Sequence, residues 1–192
     1  MTLLAENRVL ITLTILLAAL SVAVPAYAGQ RTPHEYEVKA AFLYNFAKFV
    51  VWPKDAFPER ESPIVIGVLG DDPFGPVLEE VIEGKTVNNR ALAIRRFRRT
   101  SDVVGCHVLF ISPSEGRRLV EIFGEINLDH VLTVGDCRDF AASGGNIGFY
   151  MEDKKVRIEV NLEAAERANL RISSKLLNVA RVVGSEETAE RR

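Results

Sequence analysis

The stretch from Gly144 to Gly184, GGNIGFYMEDKKVRIEVNLEAAERANLRISSKLLNVARVVG, constrains the fold most. Ile147, Phe149 and Met151, then Val156, Ile158 and Val160, alternate with small or charged residues, which is the period of a half-buried strand. Glu152-Asp153-Lys154-Lys155 between them is a polar turn, so the two runs read as an antiparallel hairpin. Asn161 then stands where its side-chain oxygen can take an orphan N–H of a helix through Leu162, Ala165 and Ala168. Asn169 accepts the left-handed conformation found just past a helix end, so Asn169-Leu170 is the expected exit. Ser173 is expected to open a last helix with Leu176, Leu177, Ala180 and Val183 on one face.

Upstream, short apolar runs alternate with helical patterns. Ile64 to Leu69, IVIGVL, lies between Pro63 and Gly70 and reads as a strand buried on both faces. Asp72 is placed to cap a helix with Pro73 at its first position and Val77, Leu78, Val81 and Ile82 on its apolar side. Leu92, Ile94 and Phe97 mark another strand, and His107 to Ser112 a third. Ser112-Pro113-Ser114-Glu115 has the form of a capping box before the helix of Leu119, Val120 and Phe123. Val131 to Val134 is the next buried strand, and a strand-helix-strand unit implies a parallel crossover. Gly135 to Phe140 is expected to start a short helix ending before Gly144-Gly145. The sum is a single three-layer α/β domain: a mixed, mostly parallel sheet of about five or six strands, helices on both faces, and a C-terminal β-hairpin followed by two helices.

The N-terminus sets the compartment. One arginine in Met1 to Arg8, an apolar run from Val9 to Val24, and Ala26-Tyr27-Ala28 before the expected cut make residues 1–28 a secretory signal peptide. The run is shorter than the ~20 residues a membrane span needs, so no stable membrane insertion is expected after cleavage. The expected mature domain covers residues 29–184, with 185–192 a charged tail. Glu6 and Arg8 leave together, which keeps the formal net charge at −2 and excludes nucleic acid as a partner on charge grounds. Cys106 and Cys137 enter an oxidising compartment. They flank consecutive strands at opposite ends, however, so two free or buried thiols are expected if those strands are parallel neighbours.

Tyr36 to Val51 is helical and apolar nearly all round, with a stripe of Val38, Ala41, Phe42, Phe46 and Phe49 and only Lys39 and Lys48 as obvious solvent residues. Such a helix is either central to the core or partly covered by a second copy or a partner. Trp52-Pro53 ends it. Arg95, Arg96, Arg98 and Arg99 surround Phe97 and form either an anionic-partner patch or a solvated sheet edge. Cys106-His107 cannot cooperate directly, because adjacent strand residues point to opposite faces. No spacing matches a zinc site, a Ser-His-Asp set or a nucleophile elbow, so no metal, cofactor or catalytic residue is expected.

The Trp52-Pro53 exit, the strand and turn from Ile64 to Gly75, the run Cys106 to Ser112, Val131 to Asp136, and the closing Gly144-Gly145, Asn161, Ala165, Leu170, Ser173-Ser174 and Leu176-Leu177 together resemble the YfiR family, the DUF4154-type periplasmic regulators. The resemblance implies a non-enzymatic, cofactor-free periplasmic protein. Such a protein binds the periplasmic sensor region of an inner-membrane diguanylate cyclase and represses it, which limits cyclic di-GMP and biofilm. Asn169 matches a position the family usually fills with glycine. From composition rather than from the resemblance, the expected contact residues are Phe49 and Trp52, with Arg95, Arg96, Arg98 and Arg99 as a charged rim. The alternative is a periplasmic module binding a small molecule or cell-wall fragment in a cleft at the strand ends near Asp71 or Asp136.

Overall fold

A computed structural model describes residues 33–184; the expected signal peptide and the charged tail lie outside the described residues. The chain opens with α1 (Pro33–Phe49), β1 (Val50–Val51), β2 (Ile64–Leu69), α2 (Val77–Ile82), β3 (Thr86–Val87) and β4 (Arg90–Phe97). It continues through β5 (Val108–Ile111), a 3₁₀ segment (Pro113–Arg118), α3 (Leu119–Glu125), β6 (Leu132–Gly135), β7 (Ile147–Glu152) and β8 (Lys155–Asn161). It closes with α4 (Leu162–Arg167), β9 (Arg171–Ile172), α5 (Ser174–Leu177) and β10 (Ala180–Val183).

The main sheet has eight strands in the order β10-β8-β7-β6-β5-β2-β4-β3, and β1 pairs with β9 in a separate two-stranded ribbon. β4, β2, β5, β6 and β7 are mutually parallel neighbours, while β8 runs antiparallel to β7 and β3 antiparallel to β4. The α/β class, the mostly parallel sheet, the hairpin and the two helices after it are as expected. The sheet is wider than expected because of its two edge strands: β3 has only two residues, and the spacing in β10 suits a helix.

Alternation puts Ile66, Val68, Val108, Phe110, Leu132, Val134, Ile147, Phe149, Ile158 and Val160 on one face. Residues of α1, α2, α4 and α5 cover that face. Val65, Leu69, Phe97, Leu109 and Ile111 form the other, beneath Leu119 and Ile122 of α3. The three layers follow from strands apolar on both sides.

Local signals hold where the partner is local. Asn161 Oδ1 accepts the Ala164 N–H at 2.9 Å. Asp153 and Lys154 take φ of 49° and 61° in the hairpin turn, the left-handed pair that matches strand twist. Asn169 has φ 56°, and the Leu170 N–H closes on the Ala165 carbonyl at 2.9 Å, a Schellman-type exit. Asn169→Gly is therefore expected to raise stability by up to about 1 kcal/mol, and Asn169→Ala to lower it by about the same amount. Urea midpoints of the two variants check this.

Five expectations need correction. The last helix stops at Leu177, and Ala180–Val183 forms β10, parallel to β8; β-branched Val182 and Val183 gain a strand partner that is remote in sequence. Asp72 does not cap α2, whose N-cap position is Pro76; Asp72 instead accepts the Phe74 N–H at 2.8 Å in a tight turn. Ser112 accepts the Ser114 N–H at 3.5 Å, but the Ser112 N–H that Glu115 would take is held by the Leu69 carbonyl at 3.0 Å. Gly135 to Phe140 lead into turns rather than a helix. The inward face of α1 is Tyr36, Lys39, Ala40, Leu43, Phe46 and Ala47, whereas Ala41 is exposed and Val38, Phe42 and Phe49 only half-buried.

Lys39 is 1% exposed. Its ammonium pairs with Asp136 Oδ2 at 2.7 Å and with Glu35 one helical turn back, and Tyr36 Oη donates to the same Asp136 oxygen at 2.8 Å. A lysine that reads as solvent is thereby the tie between α1 and the end of β6.

Candidate partner-binding surface

Trp52 sits where α1, β1 and the loop to β2 meet. Its indole N–H donates to the His130 carbonyl at 3.0 Å, and its ring meets His107 edge-on at 6.4 Å. His107 stacks on Phe57 at 4.4 Å, and the Arg90 guanidinium lies 3.8 Å from the Phe57 centroid. This ladder folds the loop after Trp52 across the starting ends of β2 and β5. Trp52 is half-buried, so one part of its ring anchors that loop and the rest faces outward.

Beside it, Val51, Trp52, Pro53, Glu166, Asn169, Leu170 and Arg171 line an open depression of about 470 Å³. Val51 is 47% exposed. β1 and β9 shape the floor, with Val50 opposite Ile172 and Val51 opposite Arg171. Phe49 borders this region through the backbone: its carbonyl accepts the Ser173 N–H at 2.9 Å. The surface is an apolar patch around an indole, edged by one acid, Glu166, and one base, Arg171.

The arginines lie elsewhere. Ala93 is level with Val65, and Phe97 with Leu69, while the His107 N–H bonds the Val65 carbonyl. Arg98 and Arg99 are thus some five residues along the strand direction from the Trp52 ladder, roughly 16 Å at ~3.3 Å per residue. The four do not form one patch. Arg96 is bound by Asp72 at 2.7 Å and Glu79 at 2.6 Å, which raises its pKa above the ordinary arginine range and lowers that of Glu79. Arg99 pairs with Asp102 at 2.9 Å. Arg95 donates to the Val104 carbonyl at 2.8 Å and lies 5.3 Å from the Phe97 ring. Arg98 is exposed. β3 covers only Arg90 and Ala91 of β4, so this arginine run lies along an open strand edge.

At the strand ends expected to hold a ligand, groups of the protein itself meet Asp71 and Asp136. β2 sits between β4 and β5, the point where strand order reverses. There the Asp71 N–H is taken by Ser114 Oγ at 3.0 Å. Asp136, 10% exposed, is engaged by Lys39 and Tyr36.

Cys106 and Cys137 are not bridged to each other, as the parallel pairing of β5 with β6 requires. Burial pushes the Cys106 thiol up to about 11. The imidazole of His107 turns to the backbone: Nδ1 accepts the Val65 N–H at 3.1 Å, and Nε2 faces the Ala56 carbonyl at 3.1 Å. An N–H can only donate, so the ring is neutral with its proton on Nε2. Burial first, and Arg90 to a smaller extent, hold its pKa below the ordinary value against the opposing Ala56 bond. The unfolded chain binds this proton below about pH 6.5 while the folded chain resists it, so stability falls as pH drops through that value. The melting midpoint is expected to drop from about pH 7 to about pH 5, and less steeply in His107→Gln, whose amide can replace both bonds.

Among the described residues, no group of three or more His, Cys, Asp or Glu could hold a metal ion, and no helix is long and apolar enough to cross a membrane. The fold is a doubly wound α/β domain with an apolar patch around an indole beside a pinned loop. Its sequence matches the YfiR/HmsC-like family model over residues 36–181, and the chain belongs to that family. No curated protein matches it.

Proposed function

We propose that this chain is a non-enzymatic periplasmic regulator that binds the periplasmic sensor region of an inner-membrane diguanylate cyclase and represses it, limiting cyclic di-GMP signalling and biofilm. Membership of the YfiR/HmsC-like family carries the reading, and the N-terminal export pattern supports the compartment. Repression requires the protein to bind the inactive sensor conformation more tightly than the active one. The contact surface is the apolar patch of Trp52 and Val51, continued by Phe49. Arg98 and Arg99, roughly 16 Å along the strand direction from the Trp52 ladder, would meet a separate part of the partner, while Arg95 reaches the Val104 carbonyl next to the ladder. A second copy of the chain could use the same patch in a dimer.

The test is retention from solubilised inner membrane by immobilised residues 29–192. Wild type is expected to retain a membrane cyclase or similar sensor through its periplasmic region. Val51→Asp places a charge in the patch at an exposed position and is expected to retain at least tenfold less, at an unchanged melting midpoint. Trp52→Ala is a poorer probe, because it also removes the anchor of the loop. Specific retention of nothing at several salt concentrations would sink the proposal. A module for a small molecule or cell-wall fragment is the second reading, favoured by a pocket between α3 and α4; a ligand-dependent rise in melting midpoint without membrane retention would support it.

A further inference from the structure

The pocket between α3 and α4 is lined by a largely buried asparagine whose amide donors have no acceptor among the described residues. It has a volume of about 410 Å³ and lies at the end of the sheet where β6 and β7 begin and β8 ends. Phe123, Ile126 and Leu128 supply apolar wall, and Asn146, Arg167 and Asp129 supply polar groups. The volume falls within the range of pockets that take small ligands.

Asn146 is 3% exposed. Its Oδ1 accepts the Thr133 backbone N–H at 2.7 Å and the Thr133 hydroxyl at 2.9 Å. Its own N–H donates to the same hydroxyl at 2.9 Å, and its carbonyl accepts the Asn161 N–H at 2.8 Å. Because a backbone N–H can only donate, the atom facing Thr133 must be the amide oxygen, and the orientation of the side chain is fixed. The amide nitrogen therefore turns away from Thr133. Its two N–H groups meet no acceptor among the described residues, yet the residue lines the pocket. Among the described residues Ser173 Oγ alone is sealed from solvent without a hydrogen bond, so the Asn146 amide nitrogen stays open to the pocket, where its two donors can meet an occupant's acceptor group.

The other polar groups narrow the class. Arg167 is 63% exposed and only loosely held, 4.0 Å from Glu163, so its guanidinium can turn to an anion. A guanidinium beside two amide N–H donors suits a carboxylate. Asp129 lines the same pocket, so the lining charge sums to zero and a doubly charged phosphate would meet repulsion. Gly144, at φ 110°, brings backbone rather than a side chain against Phe123 and keeps the mouth clear.

We propose that this pocket is a binding site for a small monocarboxylate with an apolar body, its carboxylate held by the Asn146 amide and Arg167 and its body against Phe123, Ile126 and Leu128. The site stands apart from the regulatory reading and survives if that reading fails. Helix α4 borders both regions, giving Arg167 to this pocket and Glu166 to the depression beside Trp52.

The test follows the Asn146 side-chain NH₂ pair in ¹H–¹⁵N spectra of residues 29–192, assigned by its loss in Asn146→Asp, during titration with sodium hexanoate. Hexanol, of equal chain length and without the carboxylate, is the control. Hexanoate is expected to shift the pair saturably with a Kd on the order of 1 mM, hexanol to leave it in place, and Arg167→Gln to weaken hexanoate about tenfold. Arg167 is exposed, so that variant folds. No saturable shift up to roughly fifty times the expected Kd overturns the proposal. So does an equal response to hexanol, or hexanoate binding unchanged in Arg167→Gln.

Discussion

Lys39→Met is expected to cost about 3–5 kcal/mol of stability, the penalty for removing one partner of a buried ion pair. Methionine fills nearly the same volume, so the loss is electrostatic rather than steric. Asp136, 10% exposed, and Glu35, 13% exposed, would lose the ammonium that faces both. Lys39 also lies 4.7 Å from the Tyr36 ring centroid, a further contact that methionine lacks as a cation. Adding Asp136→Leu to Lys39→Met is expected to restore part of the loss, because a buried charge then no longer needs a partner. Urea denaturation at about pH 7 checks both. A single variant within about 0.5 kcal/mol of wild type would mean the cluster is hydrated rather than buried.

Gly145→Ala is the second large effect, with an expected loss of about 3 kcal/mol or more. Phe140 is 0% exposed, and its ring lies against Gly135 and Gly145, so a Cβ at either glycine would overlap it. The ring also meets Phe123 at 5.7 Å, which couples it to the apolar wall of the pocket between α3 and α4. Core packing cannot give way by that much without an off-rotamer ring or a shifted backbone. Phe140→Leu alone is expected to cost about 1–3 kcal/mol through lost contact. Combined with Gly145→Ala it is expected to cost less than the two losses added, because the smaller side chain vacates the space the new methyl needs. Additive losses in urea denaturation would place the strain elsewhere.

What was legible in the sequence was what depends on near neighbours. The β7–β8 hairpin, the Asn161 cap and the Asn169 exit each rest on residues a few positions apart. That Cys106 and Cys137 do not bridge each other followed from strand direction alone. Several of the misreadings share one cause, a partner far along the chain. Lys39 reads as a solvent residue because Asp136 is 97 positions away. The spacing of Leu176, Leu177, Ala180 and Val183 suits a helix, and only pairing with β8 makes Ala180–Val183 a strand. Arg95 to Arg99 read as one basic cluster, yet alternation separates Arg95 from Arg96 and tertiary packing brings Glu79 to the latter. Trp52 is half-buried, and its task of holding the loop through the His130 carbonyl leaves no local signal. Asn146 escaped notice because Gly144-Gly145-Asn146 looks like any turn until Thr133 fixes the amide.

The central claim, that this family member silences a membrane cyclase from the periplasmic side, is tested most directly by cyclic di-GMP formation. The retained cyclase is reconstituted in nanodiscs, which leave both its sensor and its catalytic domain accessible, and residues 29–192 are titrated in. The account predicts a saturable fall in turnover that Val51→Asp shifts at least tenfold to higher concentration. Turnover unchanged at saturating protein would contradict it.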